Sequence, residues 1–174
     1  MDSPPERLIG PLLLARSLTL VTAESCTGGL IGGGLSDEPG SSACFRGGVI
    51  AYADDVKQEQ LGVPASVLAD CGAVSEAAVR AMAAGVRARL GSDYALAVSG
   101  ISGPGGGSPD KPVGTTWIAL ATPGAVHARR HRFPADRRRN RLLTVAAAID
   151  ALRRTLESDD STSPWRDDDT WSAR

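Results

Sequence analysis

Apolar positions along the chain follow two different periods, one typical of strands and one typical of helices. Runs with the length and composition of strands occur at residues 18–23, 47–52 and 94–100, and the last is an apolar run of the kind covered on both faces. In two other segments apolar residues recur at helical spacing, at Val79, Met82, Ala83, Val86 and Leu90 and at Leu142, Val145, Ile149, Leu152 and Leu156. Because strands and helices alternate along the chain, the pattern predicts an α/β domain.

Cap residues indicate where several helices begin. Residues 3–6 read as a capping box and predict a helix up to about Arg16, which Pro11 would bend or delay. Ser75 is predicted to cap the next long helix, and the last helix is predicted to begin near Asp136.

Two late segments predict a hairpin rather than another strand–helix unit. The strand TTWIALAT is followed by the turn TPGA and by VHARRHRF. The fold class expected is therefore α/β, a three-layer α/β/α sandwich with a mixed, mostly parallel sheet and one late hairpin. Residues 1–157 are assigned to one domain, and the polar residues 158–174 are expected to be a disordered tail.

Composition narrows the class of protein. The chain has 174 residues, 42% hydrophobic content and a net charge of −1, so it is expected to form one globular domain with no basic field for nucleic acid. Its three cysteines form no CxxC and have no nearby His pair, which argues for a reducing cytoplasm and against a disulfide framework or a metal site. No segment is long enough to cross a membrane and the acidic leader is unlike a signal peptide, so we expect a cytoplasmic protein. Helices rich in small residues suggest a homo-oligomer.

The segment TAESCTGG, residues 22–29, follows the first strand directly. Ser25 or Thr27 could cap the next helix, and Gly28 and Gly29 allow a tight turn. In open α/β sheets, however, ligands gather at this edge, where a helix N-terminus presents N–H groups. A hydroxyl placed there could attack a carbonyl while those groups receive the oxyanion, so capping and catalysis by Ser25 both stay open.

Two other nucleophile systems fit the sequence less well. Cys26 is intrinsically the better nucleophile, but a buried structural cysteine is the more common state. His127 and His131 lie on the late hairpin strand and are expected at the surface. The sequence therefore offers no convincing serine–histidine triad, and if Ser25 is a nucleophile, its base is not expected to be a histidine.

The segment AYADDVK offers such a base. Lys57 could be a solvated helix lysine, or it could be kept neutral by burial near Ser25 and remove the serine proton. Asp54 or Asp55 can cap this short helix, and either carboxylate would oppose a neutral amine. Tyr52, at the end of the strand, could orient a partner or stack on a ring.

Two more segments could bind an anion. The loop ISGPGGGSPDKPVG matches neither a Walker A motif nor a dinucleotide fingerprint, but its glycine N–H groups could form a nest. The arginines of FPADRRRNR could be a solvated basic face, a nucleic-acid patch or, at a helix N-terminus, contacts to a phosphate.

Taken together, these segments resemble the C-terminal domain of the competence/damage-inducible CinA family. The residues that match are TAESCTGG, PGSSACFRGGVIAYADDVKQEQLGV, GAVSEAAVRAMA, SGISGPGGGSPDKPVGTTWIAL and FPADRRRNR, which run from about Leu8 to about Leu156. The family includes stand-alone nicotinamide-nucleotide amidohydrolases. The resemblance therefore implies an amidohydrolase that converts nicotinamide mononucleotide to nicotinate mononucleotide and ammonia through an acyl-enzyme, in pyridine nucleotide recycling.

The resemblance also implies residue roles. Ser25 would be the nucleophile and Lys57 the general base, with Tyr52 and Arg141 in the active-site motifs and no cofactor or metal. Together with the nest and charge arguments, it gives these expected substrate-binding residues: Cys26, Thr27, Gly28, Gly29, Ser102, Gly103, Gly105, Gly106, Gly107 and Arg141. Ser102 departs from the alanine usual in the family and could alter how the loop holds a ligand. A non-catalytic, nucleotide-binding regulatory module of the competence or DNA-damage system is the alternative function.

Overall fold

The domain consists of strands and helices that follow one another along the chain. The computed structural model describes residues 6–158 and 164–165. Its strands are β1 (Leu20–Glu24), β2 (Phe45–Ile50), β3 (Tyr94–Gly100), β4 (Thr115–Ala121) and β5 (Val126–Arg132). Its helices are α1 (Glu6–Leu14), α2 (Leu30–Ser36), α3 (Asp54–Leu61), α4 (Ala65–Cys71), α5 (Glu76–Leu90) and α6 (Arg137–Glu157).

The five strands form one mixed sheet in the order β2-β1-β3-β4-β5. Strand β1 pairs in parallel with both β2 and β3, whereas β3–β4 and β4–β5 are antiparallel. The predicted mixed sheet and late hairpin are confirmed. Parallel pairing is confined to the half of the sheet built by the first three strands.

Helices cover both faces of the sheet, which confirms the three-layer arrangement. Alternate residues of β3 face opposite layers: Leu96 and Val98 pack with α1, α2 and α6, whereas Ala95 and Ala97 pack with α3, α4 and α5. The alanine-lined face lets the second layer approach the sheet closely, which is consistent with a core containing few aromatic rings.

The caps were predicted with mixed success. Ser75 caps α5 by accepting a hydrogen bond from a backbone N–H group, as predicted. Asp136 caps α6 in the same way, at the position where that helix was predicted to begin. The capping of α3 by Asp54 or Asp55 was wrong, because Ala53 holds the cap position and both aspartates lie in the first turn.

Three further features differ from the pattern-based expectation. Helix α4 was not predicted, because its 7 residues are too few to show a helical period. Leu142 belongs to the predicted core stripe of α6 but is 46% exposed. His131 was expected at the surface but is buried, stacked on Phe133 with the ring of Trp165 edge-on to it.

Parts of two predicted segments lie outside the described residues. They are Ser3–Pro5 of the capping box and, in the tail, residues 159–163 and 166–174. Within the part of the chain that the structure describes, no helix has the length and apolar character needed to cross a bilayer.

Candidate active site

The predicted site residues come from four elements that meet at one edge of the sheet. Strands β2, β1 and β3 run in parallel, so their carboxyl ends lie side by side. The connection from β1 to β2 passes through α2 on one face, and the connection from β2 to β3 passes through α3 to α5 on the other. Such a change of side opens a crevice at the end of β1, which is where ligands bind in open α/β sheets.

Ser25 is the first residue after β1 and begins a tight turn. Its N–H group donates to Val98 O at 3.0 Å, and its carbonyl accepts from Gly28 N at 3.1 Å. Among the described residues, the Ser25 hydroxyl has no hydrogen-bond partner, and the N–H groups of Cys26 and Thr27 donate to no other residue. A hydroxyl and two backbone donors are thus left available within three consecutive residues.

Glu24, rather than Ser25 or Thr27, satisfies the N-terminus of α2. Its side chain is buried, and its carboxylate accepts from the N–H groups of Gly29, Ile31 and Gly32 at 2.8–3.1 Å. The predicted capping by a hydroxyl was therefore wrong: Gly29 occupies the N-cap position and makes no side-chain cap. Because Glu24 takes these donors, the N–H groups of Cys26 and Thr27 are the ones left available beside the Ser25 hydroxyl.

Arg141 holds the other side of the same turn. Its Nε donates to Cys26 O at 3.1 Å and one Nη donates to Thr27 O at 2.7 Å. The sequence predicted a phosphate ligand at this position, whereas the geometry gives Arg141 two backbone carbonyls. A side chain on Gly28 would meet this guanidinium, since a Cβ built there lies 3.5 Å from its Nη2.

Lys57 is almost fully buried, at 1% exposure, as is Glu24. The expectation that it is a solvated helix lysine, the simpler of the two interpretations, was wrong. Its amine donates to Tyr52 O at 3.0 Å and forms an ion pair with Asp54 Oδ1 at 3.1 Å. The amine makes no hydrogen bond to the Ser25 hydroxyl in this arrangement.

Two further residues of α6 contact the site: Asn140, which sequence reasoning did not select, and Arg137, which it considered only as one of the arginines of FPADRRRNR. Arg137 donates to the carbonyl of Gly103 and to the hydroxyl of Tyr52. Asn140 is buried and donates from its amide to Ser102 O at 3.1 Å. Positions 137, 140 and 141 lie on one face of the first turns of α6, so helical spacing within FPADRRRNR was the signal that could have found them.

The glycine-rich loop after β3 is packed against its own return segment. A Cβ on Gly103 would lie 2.7 Å from a methyl group of Val113, and one on Gly107 would lie 2.7 Å from Val113 N. Around Gly105, by contrast, nothing lies within 4 Å of such a Cβ. Gly103 and Gly107 are thus explained by close packing, and the open side of the loop lies near Gly105.

Cys26 follows Ser25 in the turn, and its side chain is buried in the hydrophobic core. Burial raises the pKa of its thiol to about 12, against smaller opposing effects that include Arg141 and the Ser102 hydroxyl. A nucleophilic cysteine needs the opposite shift, because the thiolate is the reactive form. The Cys26 side chain is therefore a packing group at neutral pH.

The fold and the site together define an open α/β protein whose candidate active site is a serine turn at the carboxyl ends of its parallel strands. The model of the CinA C-terminal domain family matches residues 2–156, so the chain belongs to that family.

Relatives and solved structures agree with the family. The chain is 49% identical over 152 residues to a CinA-like protein of Gemmatimonas aurantiaca and 51% identical over 150 residues to one of Geobacter metallireducens. Each alignment covers 86% of this chain and 36% of the relative, so the chain spans little more than a third of their length. A CinA superfamily protein of Klebsiella pneumoniae superposes with a TM-score of 0.85 at 37% identity, over 88% of this chain and 96% of that one. The competence/damage-inducible protein CihA of Agrobacterium tumefaciens gives 0.84 at 37% identity, over 91% and 98%.

Proposed function

We propose that the chain is an amidohydrolase that deamidates nicotinamide mononucleotide with Ser25 as nucleophile and Lys57 as base. The observation that carries this proposal is the Ser25 turn, in which the hydroxyl and the N–H groups of Cys26 and Thr27 are left without partners while neighbouring groups are satisfied. Family membership supports the same assignment, since these residues lie in the motifs that resemble the family's amidohydrolases.

The reaction would proceed in two halves. Lys57, as the free amine, accepts the Ser25 proton while the serine oxygen attacks the carboxamide carbon, and the oxyanion is held by the N–H groups of Cys26 and Thr27. Lys57 then gives its proton to the leaving nitrogen, ammonia departs, and an ester on Ser25 remains. Water hydrolyses this ester with the same lysine as base, which releases the carboxylic acid and restores the serine.

The resting partners of Lys57 set a requirement on this mechanism. Its amine is paired with Asp54, whose side chain is 57% exposed, and makes no hydrogen bond to the Ser25 hydroxyl. For Lys57 to act as a base, it must leave Asp54 and turn towards Ser25 when the substrate fills the crevice.

A phosphate-bearing substrate suits the charges at the mouth of the crevice. Arg137 is exposed beside Tyr52, and one amino group of Arg141 has no partner among the described residues. Guanidinium groups bind phosphate oxygens well, and the open side of the loop at Gly105 could add backbone N–H groups. Tyr52 is 60% exposed, so its ring is available to stack on a pyridine ring.

A non-catalytic nucleotide-binding module is the second candidate, and the pairing of Lys57 with Asp54 is the observation that favours it. In such a module the crevice would bind a nucleotide without turning it over, in a role linked to competence or DNA damage. A cytoplasmic location and a homo-oligomeric state stay predictions under either function.

Ammonia release from nicotinamide mononucleotide tests the proposal. We expect the wild-type protein to release ammonia stoichiometrically with nicotinate mononucleotide, and Ser25→Ala and Lys57→Ala to abolish the reaction. Calorimetric binding of the nucleotide without turnover over hours would favour the binding module. Cys26→Ser is expected to retain the rate, and its loss would point to a thiol mechanism instead.

A further inference from the structure

The buried carboxylate of Glu24 accepts hydrogen bonds from the turn that follows Ser25 and from the start of α2. Its Oε2 accepts from the Thr27 hydroxyl at 2.6 Å and from the N–H groups of Gly29 and Ile31, both at 3.1 Å. Its Oε1 accepts from Gly32 N at 2.8 Å. Glu24 is 1% exposed and is the last residue of β1, so these four bonds tie the turn and the start of α2 to the sheet.

Two oppositely charged side chains therefore divide the polar groups of this turn between them. Glu24 takes the Thr27 hydroxyl and the N–H groups at the start of α2, whereas Arg141 takes the carbonyls of Cys26 and Thr27. The Ser25 hydroxyl and the N–H groups of Cys26 and Thr27 are left without a partner among the described residues. These are the groups that an acyl-transfer site needs, since a nucleophile and its oxyanion donors must be free and fixed in direction.

We propose that Glu24 is a positioning residue, which holds the Thr27 end of the turn so that Ser25 and its two neighbouring N–H groups face the bound carboxamide. This inference rests on the proposed function and adds to it a residue that does not touch the substrate. Its effect passes through the Thr27 hydroxyl and the backbone of the turn.

The four donors explain why this position requires a carboxylate. All four partners of Glu24 donate hydrogen bonds, and an ionised carboxylate is the side chain that only accepts. A glutamine would place its NH₂ group against at least one of these donors. An aspartate would be one methylene group too short to reach the N–H groups of α2 from the same backbone position.

Thr27 allows a test that keeps the buried carboxylate in place. Thr27→Val is nearly isosteric and removes the bond to Glu24, whereas Thr27→Ser keeps a hydroxyl. We expect Thr27→Val to lower kcat about tenfold or more, the size of a hydrogen bond to a charged group, with KM changed less. Thr27→Ser should retain a larger share of kcat than Thr27→Val.

A matched control lies at the other end of the same strand. The Thr19 hydroxyl donates to Asp93 Oδ2 at 2.7 Å, so Thr19→Val removes a comparable threonine–carboxylate bond away from the site. This variant should lower the melting temperature but leave kcat unchanged. Equal losses of kcat in Thr19→Val and Thr27→Val, or a loss in Thr27→Val confined to KM, would overturn the positioning role.

Glu24→Gln alters more hydrogen bonds of the turn than Thr27→Val does. Its effect is best measured by a method that does not depend on the substrate. Labelling of Ser25 by a fluorophosphonate, followed by mass spectrometry, reports the reactivity of the serine and its oxyanion donors directly. We expect folded Glu24→Gln, verified by circular dichroism, to be labelled at least tenfold more slowly than the wild type. Thr27→Val should be labelled more slowly as well, and provides the same comparison if Glu24→Gln does not fold.

Ammonia release tests the proposed substrate, whereas the labelling of Ser25 tests the positioning role of Glu24. If the wild type is labelled at Ser25 but releases no ammonia from nicotinamide mononucleotide, the proposed substrate is wrong and the role of Glu24 is judged by the labelling rates. Wild-type labelling rates in both variants would show that Glu24 does not position the nucleophile, whichever substrate the protein uses.

Discussion

The guanidinium of Arg137 joins Tyr52 to the glycine-rich loop across the mouth of the crevice. Its Nη2 lies 3.0 Å from the hydroxyl of Tyr52, 85 positions away in the sequence, and its Nη1 lies 2.8 Å from Gly103 O. These contacts connect the ends of β2 and β3 through the first residue of α6. A charged group in this place can both hold the loop and meet an anionic substrate.

Replacing this arginine should therefore weaken substrate binding. We expect Arg137→Ala to raise the KM for nicotinamide mononucleotide about tenfold, because the variant loses a guanidinium contact to phosphate, and to lower kcat less. Arg138→Ala, which changes a neighbouring exposed arginine, is the control and should leave KM unchanged. Steady-state kinetics measures both values, and equal KM values for Arg137→Ala and the wild type would exclude the contact.

Lys57 offers a test that separates catalysis from folding. Lys57→Met keeps most of the buried volume and leaves the partly exposed Asp54 to water, so no buried carboxylate loses its partner. We expect kcat to fall about 10²–10⁴-fold, the usual contribution of a general base, while the melting temperature does not fall. Lys111→Met is the control, since the Lys111 amine binds the carbonyl of Cys71 outside the Ser25 turn. Activity within twofold of the wild type in Lys57→Met would rule out the lysine as base.

Stability at alkaline pH should depend on Cys26. Burial raises the pKa of this thiol from 9.0 to about 12, so the unfolded chain loses the proton before the folded one does. Stability is then complete below pH 9 and falls between pH 9 and pH 12, by up to about 1.4 kcal/mol per pH unit. Urea unfolding at pH 8 and pH 10.5 should give a steeper loss for the wild type than for Cys26→Ala. Parallel losses in the two proteins would contradict the burial of the thiol.

Replacing two helical glycines by alanine should change the free energy of unfolding in opposite directions. A Cβ on Gly85 of α5 would lie 1.8 Å from Leu61 O, so Gly85→Ala must push α3 and α5 apart. We expect a loss of about 1–3 kcal/mol or more in the free energy of unfolding. In α2, Gly33 is exposed with nothing within 4 Å of such a Cβ, so Gly33→Ala should stabilise by about 0.8–1 kcal/mol. Chemical denaturation of both variants measures the difference, and a stable Gly85→Ala would show that the helices can separate at little cost.

The glycines of α2 show which features of a helix the sequence could predict and which it could not. The run of glycines in α2 suggested that something must pack very close against it. That is true of Gly32, where a Cβ would lie 3.3 Å from the ring of Phe45, but not of Gly33 beside it. Helical spacing identifies a helix, whereas the neighbour of each glycine depends on elements distant in the sequence.

The sequence by itself determined the order and type of most elements, the cap at Ser75 and the start of the last helix near Asp136. These features follow from short-range periodicity and from bonds within one turn, which depend on residues a few positions apart. It also indicated which segments reach the carboxyl edge of the sheet, because each candidate motif follows a strand.

Only the tertiary structure decided which groups at that edge satisfy one another. The α2 N-terminus is satisfied by Glu24 and not by a hydroxyl, Lys57 is buried beside Asp54, and Arg141 binds backbone carbonyls. Each outcome depends on where strands and helices distant in sequence bring their charges together. Burial makes an unsatisfied polar group costly, so the packed edge of the sheet fixes each of these pairings. The Ser25 hydroxyl is the exception, because it has no partner among the residues that the structure describes although Ser25 is only 8% exposed.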